Sequence, residues 1–224
     1  MKEAAVILLS YLIGSIPMAY ALGRALKKID IRNYGSGNVG ASNIWVHVGR
    51  WTAIPLAAFD LFVKGALPVY LAIHLNAGIW IGVAAGLATV AGHNWSLYLR
   101  FTGGRGINVA MGVLLVLAWK ELVMLVLVAA VGWLIFRRSA LWVGIALTLL
   151  PPWSLLFGEP LSVTVLCVSL IAIVALKRLR ANGSMAVAGT RWRDVCIQRL
   201  LYDRDIADRD EWVHRTPTEQ HDDG

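Results

Sequence analysis

Long apolar segments dominate this chain and restrict what it can fold into. The apolar runs lie at roughly residues 4–23, 52–73, 79–99, 107–119, 121–136, 139–157 and 161–176. A membrane-spanning helix needs about 20 apolar residues, and fewer where one end lies in a protein-lined vestibule. Because 58% of the 224 residues are hydrophobic and only 16% are charged, a soluble domain of this size cannot bury so much apolar surface. The runs therefore predict an all-α integral membrane protein.

Two of these runs are short and leave the number of spans open. Runs 107–119 and 121–136 form either two short helices, a re-entrant hairpin, or one kinked span. The adjacent charges Lys120 and Glu121 favour a water-exposed turn, and therefore two helices. Two helices give seven spans, whereas one kinked span reverses the orientation of every later segment.

The distribution of positive charge favours seven transmembrane helices with the N-terminus outside and the C-terminus inside. In that topology the cytoplasmic segments carry Arg24, Lys27, Lys28, Arg32, Arg50, Arg100, Arg105, Arg137, Arg138, Lys177, Arg178 and Arg180. The outer segments carry few ionisable groups, as the positive-inside rule requires. The net charge of +7 is then explained by topology and by anionic headgroups, and not by nucleic-acid binding.

The end of the chain differs in composition from the rest. We interpret residues 1–190 as the membrane domain and residues 191–224 as a charged cytoplasmic tail. The pattern at 191–214 fits an amphipathic helix on the membrane surface, and we expect the last ten residues to be disordered. A solvated tail without a role is an equally good interpretation. The two cysteines, Cys167 and Cys196, offer neither a disulfide framework nor metal-ligand spacing.

A glycine-rich segment lies where the first span is predicted to meet water. It reads Gly35-Ser36-Gly37-Asn38-Val39-Gly40-Ala41-Ser42-Asn43, and its first six residues match G-x-G-x-x-G. A dinucleotide fingerprint requires a preceding strand in a soluble βαβ unit, and here the motif follows a membrane span. The segment instead predicts an anion site, because glycines let backbone N–H groups converge while serine and asparagine side chains add neutral donors. A turn-rich interhelical loop is the alternative.

A second glycine-rich segment, Phe101-Thr102-Gly103-Gly104-Arg105-Gly106, faces the same side in this topology. Arg105 can bind a phosphate through two hydrogen bonds, which a lysine cannot do. His93, about ten residues earlier, can exchange protons near neutral pH, or it can be a helix-end histidine bonded to backbone. Two anion-binding loops on one face predict a single phosphate site at the edge of a bilayer.

These motifs resemble the bacterial acyl-phosphate:glycerol-3-phosphate acyltransferases, the PlsY family. The matching elements are Gly14-Ser15-Ile16-Pro17, Asp30-Ile31-Arg32, the 35–43 segment with Gly49, Phe59-Asp60, Lys64-Gly65, Gly92-His93 and the 101–106 segment. The match covers most of residues 4–190. The resemblance implies a seven-helix enzyme of the bacterial plasma membrane that uses no metal, nucleotide or other cofactor.

The reaction that the resemblance implies is transfer of a fatty acyl group from acyl phosphate to the 1-hydroxyl of sn-glycerol 3-phosphate. The product is lysophosphatidate, a precursor of phospholipids. Acyl phosphate is an activated mixed anhydride, so the protein needs mainly to position substrates and stabilise charge.

The resemblance also implies roles for individual residues. We expect catalytic roles for Ser36, His93 and Arg105, with His93 either orienting the site or accepting the hydroxyl proton. The expected phosphate-binding residues are Gly35, Ser36, Gly37, Asn38, Gly40, Ser42, Asn43, Gly103, Gly104, Arg105 and Gly106. The expected acceptor-binding or supporting residues are Asp60, Lys64, Ser139 and Asn182. Asp60 and Lys64, four residues apart on one helix face, can alternatively form only a structural ion pair.

Some family positions carry different residues here. Val46 replaces an arginine, while Leu179 and Arg191 replace a histidine and a glutamate of a third motif that retains Asn182, Gly189 and Thr190. One charged hydrogen bond is worth about 1.5–3 kcal/mol, so these changes weaken the expected acceptor site. Two alternatives therefore stay open: an enzyme that uses acyl phosphate with another polyol phosphate, and a non-catalytic lipid-binding membrane protein.

Overall fold

The structure is a computed structural model that describes residues 1–75, 78–182, 191–206 and 208–217, and this part of the chain is almost entirely helical. The α-helices are α1 Lys2–Ser15, α2 Met18–Lys27, α3 Ala41–His47, α4 Arg50–Ala58, α5 Leu67–His74, α6 Ile79–Asn94, α7 Ile107–Leu117, α8 Trp119–Phe136, α9 Ser139–Thr148, α10 Leu150–Leu156, α11 Leu161–Leu179, α12 Trp192–Tyr202 and α13 Arg209–His214. A π-helix, Phe59–Ala66, joins α4 to α5. The predicted all-α class is confirmed.

Five helical stretches of the described chain are long and apolar enough to cross a membrane. They are Lys2–Lys27, Arg50–His74, Trp119–Phe136, Ser139–Leu156 and Leu161–Leu179. Helices α6 and α7 are shorter, at 16 and 11 residues. Large apolar side chains such as Leu156 and Leu161 are about 70% exposed, as lipid-facing residues are. The chain is therefore a multi-pass membrane protein, while the count of seven spans and their orientation remain predictions.

The break between α7 and α8 lies at Ala118, whose φ of −155° and ψ of 58° are not helical. The sequence predicts a water-exposed turn at Lys120 and Glu121, and this placement is wrong. Both residues lie inside α8, where Glu121 is fully buried. Lys120 instead forms an ion pair of 2.8 Å with Glu159, which precedes α11. Lys120 is therefore paired with the segment before α11, and the chain still forms two separate helices.

Helices α1 and α6 pack backbone against backbone. A Cβ added to Gly14 would collide with the carbonyl oxygen of Thr89, and one added to Gly92 would collide with that of Tyr11. Small residues at a membrane-helix interface allow this close approach. The packing fixes the C-terminal end of α6, which carries His93, against the end of α1.

A second close contact holds the π-helix against α7. A Cβ added to Gly65 or to Gly112 would lie only 2.8 Å from backbone atoms of the opposing helix. The hydroxyl of Thr89 donates a hydrogen bond of 2.7 Å to the backbone carbonyl of Lys64, which joins the π-helix to α6. π-Helical segments within α-helices occur frequently at functional sites, and this one carries the buried residues Asp60 and Lys64.

Two apolar clusters form the interior. The larger lies among α6, α7 and α11 and includes Val90, Val113 and Leu170. The smaller lies beneath the first glycine-rich segment and contains Ile31, Val39, Ile44, Leu56 and Leu99, all at most 6% exposed. Because Val39 and Ile44 belong to or directly follow that segment, burial of their side chains anchors the loop to the helices.

The described part of the tail contains two helices, α12 and α13, within the region 191–214. Helix α12 contacts α9 and α11, and α13 contacts α3. Val195 is 2% exposed and Arg199 is 4% exposed, so α12 is buried against the protein along one face. Gly189 and Thr190 of the third motif, and the final residues 218–224, lie outside the described residues.

Candidate active site

The first glycine-rich segment is held by the side chain of Asn43. Its amide nitrogen lies 3.1 Å from the carbonyl oxygen of Ile31, 2.9 Å from that of Tyr34 and 3.1 Å from that of Asn38. Gly35 and Gly37 adopt φ values of +50° and +65°, which favour glycine. Asn43 is therefore directed into the loop as a brace, although it was expected to donate to phosphate.

The second glycine-rich segment passes directly over His93. The backbone N–H of Gly104 donates to the carbonyl oxygen of His93 at 3.1 Å. A Cβ on Gly103 would collide with that carbonyl, and a Cβ on Gly104 would collide with the Nε2 atom of the imidazole. Glycine is required at both positions because the backbone must come this close to the His93 ring.

The two segments meet, and Asn182 joins them. The N–H of Val39 donates to the carbonyl oxygen of Gly103 at 3.2 Å. The Asn182 amide nitrogen donates to the carbonyl oxygens of Gly37, at 3.1 Å, and of Gly103. Its side-chain oxygen accepts from Nζ of Lys177 at 2.7 Å. Both loops therefore form one structural unit.

A buried polar cluster lies beneath this unit. Nζ of Lys64 lies 3.0 Å from a carboxylate oxygen of Asp60 and 3.3 Å from Nδ1 of His93, and the three side chains are at most 6% exposed. The Asp60–Lys64 pair thus occurs as an ion pair, with His93 as a third member. Charges in a membrane protein persist only where they are paired or hydrogen-bonded, as these are.

Arg105 is held on two sides by groups from elsewhere in the chain. Its Nε lies 2.7 Å from a carboxylate oxygen of Asp203, and its Nη1 donates to the backbone carbonyl of Lys177 at 2.7 Å. The sequence predicted a role for neither partner. Lys177 was assigned only to the cytoplasmic charge bias, and nothing local marks Asp203, which follows α12 in the tail. Both are positioned by tertiary packing.

Three cavities surround the joined loops. One of about 200 Å³ is lined by Ser36, Asn38, Asp60, His93, Arg105 and Asp203. A larger one of about 580 Å³ shares Ser36 and Asn43 with it and is otherwise mostly apolar, with Val46, Ile54, Trp133 and Ser139 in its wall. A third of about 190 Å³ is lined by Arg32, Ser36, Asn182 and Arg215 among others. Ser36 faces all three cavities, so the first loop separates polar space from apolar space.

Several expected residues occupy the walls of these cavities. Gly40 and Ser42 line the 200 Å³ cavity together with Gly106. Gly35 and Gly37 line the third cavity. Ser139 lies in the wall of the largest cavity, apart from the Asp60–Lys64–His93 cluster. Among the described residues, no group of three or more His, Cys, Asp or Glu side chains is arranged to hold a metal ion.

Charges outside the spans also shape the site. A hydrogen bond from Arg32 lowers the pKa of Asp30, whose carboxylate lies 2.7 Å from the Arg32 guanidinium. Burial lowers the pKa of His47, and its Nε2 lies 3.0 Å from the carbonyl oxygen of Val213 in the tail. His47 is thereby engaged with α13.

The comparisons with known proteins agree with one another. A protein-family model described as glycerol-3-phosphate acyltransferase matches residues 4–189. The chain is 38% identical over 211 residues to glycerol-3-phosphate acyltransferase 4 of Dehalococcoides mccartyi (strain CBDB1), covering 92% of this chain and 90% of that protein. It is 37% identical over 185 residues to the glycerol-3-phosphate acyltransferase of Gloeobacter violaceus, covering 81% and 89%.

Two crystal structures of PlsY (YgiH), an integral membrane glycerol 3-phosphate acyltransferase, are similar to this fold. The glycerol 3-phosphate form superposes with a TM-score of 0.74 at 27% sequence identity, covering 80% of this chain and 90% of that one. The lysophosphatidic acid form gives a TM-score of 0.72 at 27% identity, covering 80% and 88%. The similarity therefore extends over nearly the whole of those proteins.

Proposed function

Because this chain belongs to the glycerol-3-phosphate acyltransferase family, we propose that it transfers a fatty acyl group from acyl phosphate to the 1-hydroxyl of sn-glycerol 3-phosphate. The observation that carries the proposal is the union of the two glycine-rich loops through Asn182 beside a polar cavity that shares a wall with an apolar one. An amphiphile with a phosphate group at its reactive end fits such a pair of cavities.

Phosphate binding belongs to the polar cavity. Arg105 contributes a guanidinium to the wall of this cavity, and Ser36, Asn38 and Gly40 contribute neutral donors. A guanidinium binds phosphate more strongly than neutral donors do, and fixed donors need no reorganisation as charge moves to the leaving phosphate. The apolar cavity, with Ile54 and Trp133 in its wall, takes the start of the acyl chain.

The contacts of His93 support a role as a hydrogen-bond donor. Lys64 forms an ion pair with Asp60 and is therefore an ammonium group, which has only hydrogens to offer. Its approach to Nδ1 of His93 makes Nδ1 the acceptor, so the ring proton lies on Nε2, the atom next to Gly104. His93 is then a donor toward the site, and it stabilises charge on the substrate and does not remove a proton.

The reaction balances without a protein base. The 1-hydroxyl oxygen of glycerol 3-phosphate attacks the acyl carbon, a new C–O bond forms, and the bond between that carbon and the phosphate oxygen breaks. The hydroxyl proton passes to an oxygen of the departing phosphate, which leaves as hydrogen phosphate. Positioning and charge stabilisation supply the catalysis, because acyl phosphate already carries a good leaving group.

Topology and location follow from the same proposal. The proposed topology has seven spans, five of them long stretches and two formed by the shorter helices α6 and α7, with both glycine-rich loops and the tail on the cytoplasmic side. The arginines and lysines of those segments support this orientation. We place the protein in the bacterial plasma membrane, where its lipid product is needed.

The test is phosphate release from acyl phosphate by the purified protein with different acceptors. We expect release with glycerol 3-phosphate, with lysophosphatidate as the second product. Release only with another polyol phosphate would instead support a changed acceptor, a possibility that the apolar side chain of Val46 in the cavity wall favours. The proposal would be overturned by a preparation that binds acyl phosphate but does not release phosphate, whichever acceptor is added.

A further inference from the structure

We propose that Asp203, in the C-terminal tail, is a positioning residue for Arg105, so that the tail forms part of the active site. The inference rests on the proposed function, because it assigns a purpose to the orientation of the phosphate-binding arginine. It concerns a region beyond residue 189, where the match to the family model ends.

The position of Asp203 is fixed by the docking of α12. Nη1 of Arg178, in α11, donates to the carbonyl oxygen of Leu200 at 2.7 Å. Nη1 of Arg199 donates to the carbonyl oxygen of Leu179 at 2.8 Å, and its Nε pairs with Asp205. Asp203 caps the C-terminus of α12 with a φ of 56°. These contacts hold the carboxylate in place without any contribution from Arg105.

Asp203 and Lys177 together orient one side of the Arg105 guanidinium. The carboxylate lies 2.7 Å from Nε, and the Lys177 carbonyl accepts from Nη1 at 2.7 Å. A guanidinium has five N–H donors in a planar fork, so its Nη2 hydrogens and the second Nη1 hydrogen stay available. Because Arg105 and Asp203 line the same cavity as Ser36 and His93, a phosphate there meets an arginine that is already oriented.

The same contact has a competing interpretation, in which Asp203 weakens phosphate binding. A carboxylate beside Arg105 also offsets its positive charge and, if displaceable, would stand where the substrate phosphate binds. The buried docking of α12 argues against displacement, since Val195 and Arg199 are at most 4% exposed. Burial raises the pKa of the Asp203 carboxyl, while the guanidinium groups of Arg105 and Arg178 act in the opposite direction. The fixed geometry favours orientation over obstruction.

The test compares Asp203→Ala with Asp208→Ala in the full-length protein. Asp208 is another tail carboxylate, and it accepts hydrogen bonds from the backbone N–H groups of Asp210 and Glu211 in α13. We expect Asp203→Ala to lower kcat/KM for acyl phosphate by about 10-fold or more, because misplacement of a phosphate-binding group is costly. We expect Asp208→Ala to stay within about twofold of wild type. A lower KM for acyl phosphate in Asp203→Ala would overturn the proposal.

A double-mutant cycle with Arg105→Ala distinguishes positioning from a general structural role. If Asp203 acts through Arg105, Asp203→Ala will cause no further loss of kcat/KM in the Arg105→Ala background. The proposal would be overturned if Asp203→Ala lowered kcat/KM by the same factor in both backgrounds. It would also be overturned if the loss of activity were accompanied by a matching loss of thermal stability. A wild-type protein inactive with every acceptor would refute the proposed function instead, and a wild-type protein that is active but matched by Asp203→Ala would refute only this inference.

Discussion

At the scale of single residues, Asn182 shows how much the site depends on contacts between distant segments. Its amide joins Gly37 and Gly103, which are 66 residues apart in the chain, and also accepts from Lys177. The sequence marks Asn182 as a motif residue but gives it only a supporting role, because no local pattern reveals which loops it joins. By contrast, glycine-rich segments with an arginine are typical of anion sites, so the sequence alone predicts phosphate-binding roles for Arg105 and Ser36.

We expect Asn182→Ala to reduce turnover by about 10-fold or more, since it removes hydrogen bonds from both loops at once. Asn182→Asp should retain less turnover than Asn182→Gln, because a carboxylate cannot donate to the carbonyl oxygens of Gly37 and Gly103. Initial rates of phosphate release for the three variants measure this. An Asn182→Ala variant as active as wild type would show that the loops are joined without it.

The Asp30–Arg32 pair makes a pH-dependent contribution to stability. Hydrogen bonding from Arg32 lowers the pKa of Asp30 in the folded protein below its ordinary value of 3.8. The stabilisation is therefore present above pH 3.8 and is lost as the pH falls through the lower folded-state pKa. The melting temperature of wild type should exceed that of Asp30→Asn at pH 7, and the difference should shrink toward pH 3. Arg32→Gln should give the same trend, and a difference that does not vary with pH would contradict this account.

At the scale of elements, the helices are predictable where apolar runs are long, and their interruptions are not. The run 4–23 divides into α1 and α2 at Ile16-Pro17, and the turn after α7 lies at Ala118 and not at the charged pair. Glu121 is buried, and Lys120 pairs with Glu159, which precedes α11; both placements depend on tertiary packing. The π-helix at 59–66 also has no signal in hydrophobic periodicity.

The contact between the π-helix and α7 gives an element-scale prediction. Gly112→Ala places a Cβ against the carbonyl oxygen of Leu61 and 2.8 Å from Gly65 Cα, where backbone must move. Overpacking of this kind costs about 1–3 kcal/mol, so the melting temperature in detergent should fall by several degrees, about 2–4 °C for each kcal/mol. Gly40→Ala is the control, because no atom lies within 4 Å of its added Cβ. Equal melting temperatures for both variants would contradict the packing described.

At the scale of the whole molecule, the membrane class follows from composition, whereas the tail does not. Charged residues at 191–217 are typical of a solvated segment, and the structure nevertheless docks them over the site through α12 and α13. Gly35, for example, donates its backbone N–H to the carbonyl oxygen of Arg215 at 2.8 Å. Such docking is decided by buried arginines such as Arg178 and Arg199, whose partners are backbone carbonyls that no sequence pattern marks.

The topology makes a prediction for the whole chain. In a Cys196→Ala background, a membrane-impermeant maleimide should label Lys2→Cys in intact cells, because the proposed topology puts the N-terminus outside. It should label Asp210→Cys only after permeabilisation, because the proposed topology puts the tail inside. Cys167 is buried and should stay unlabelled in both conditions. Labelling of both introduced cysteines in intact cells would contradict an odd number of spans.

The most direct test of the account is the rate of lysophosphatidate formation from acyl phosphate and glycerol 3-phosphate by the purified protein. Wild type should form lysophosphatidate and hydrogen phosphate in equal amounts. Arg105→Ala and Ser36→Ala should be slower by about 10-fold or more, since each loses a hydrogen bond to a charged phosphate. Cys196→Ala, in the tail, should match wild type. No lysophosphatidate from wild type, or equal rates for Arg105→Ala and Cys196→Ala, would contradict an acyltransferase site at the two joined loops.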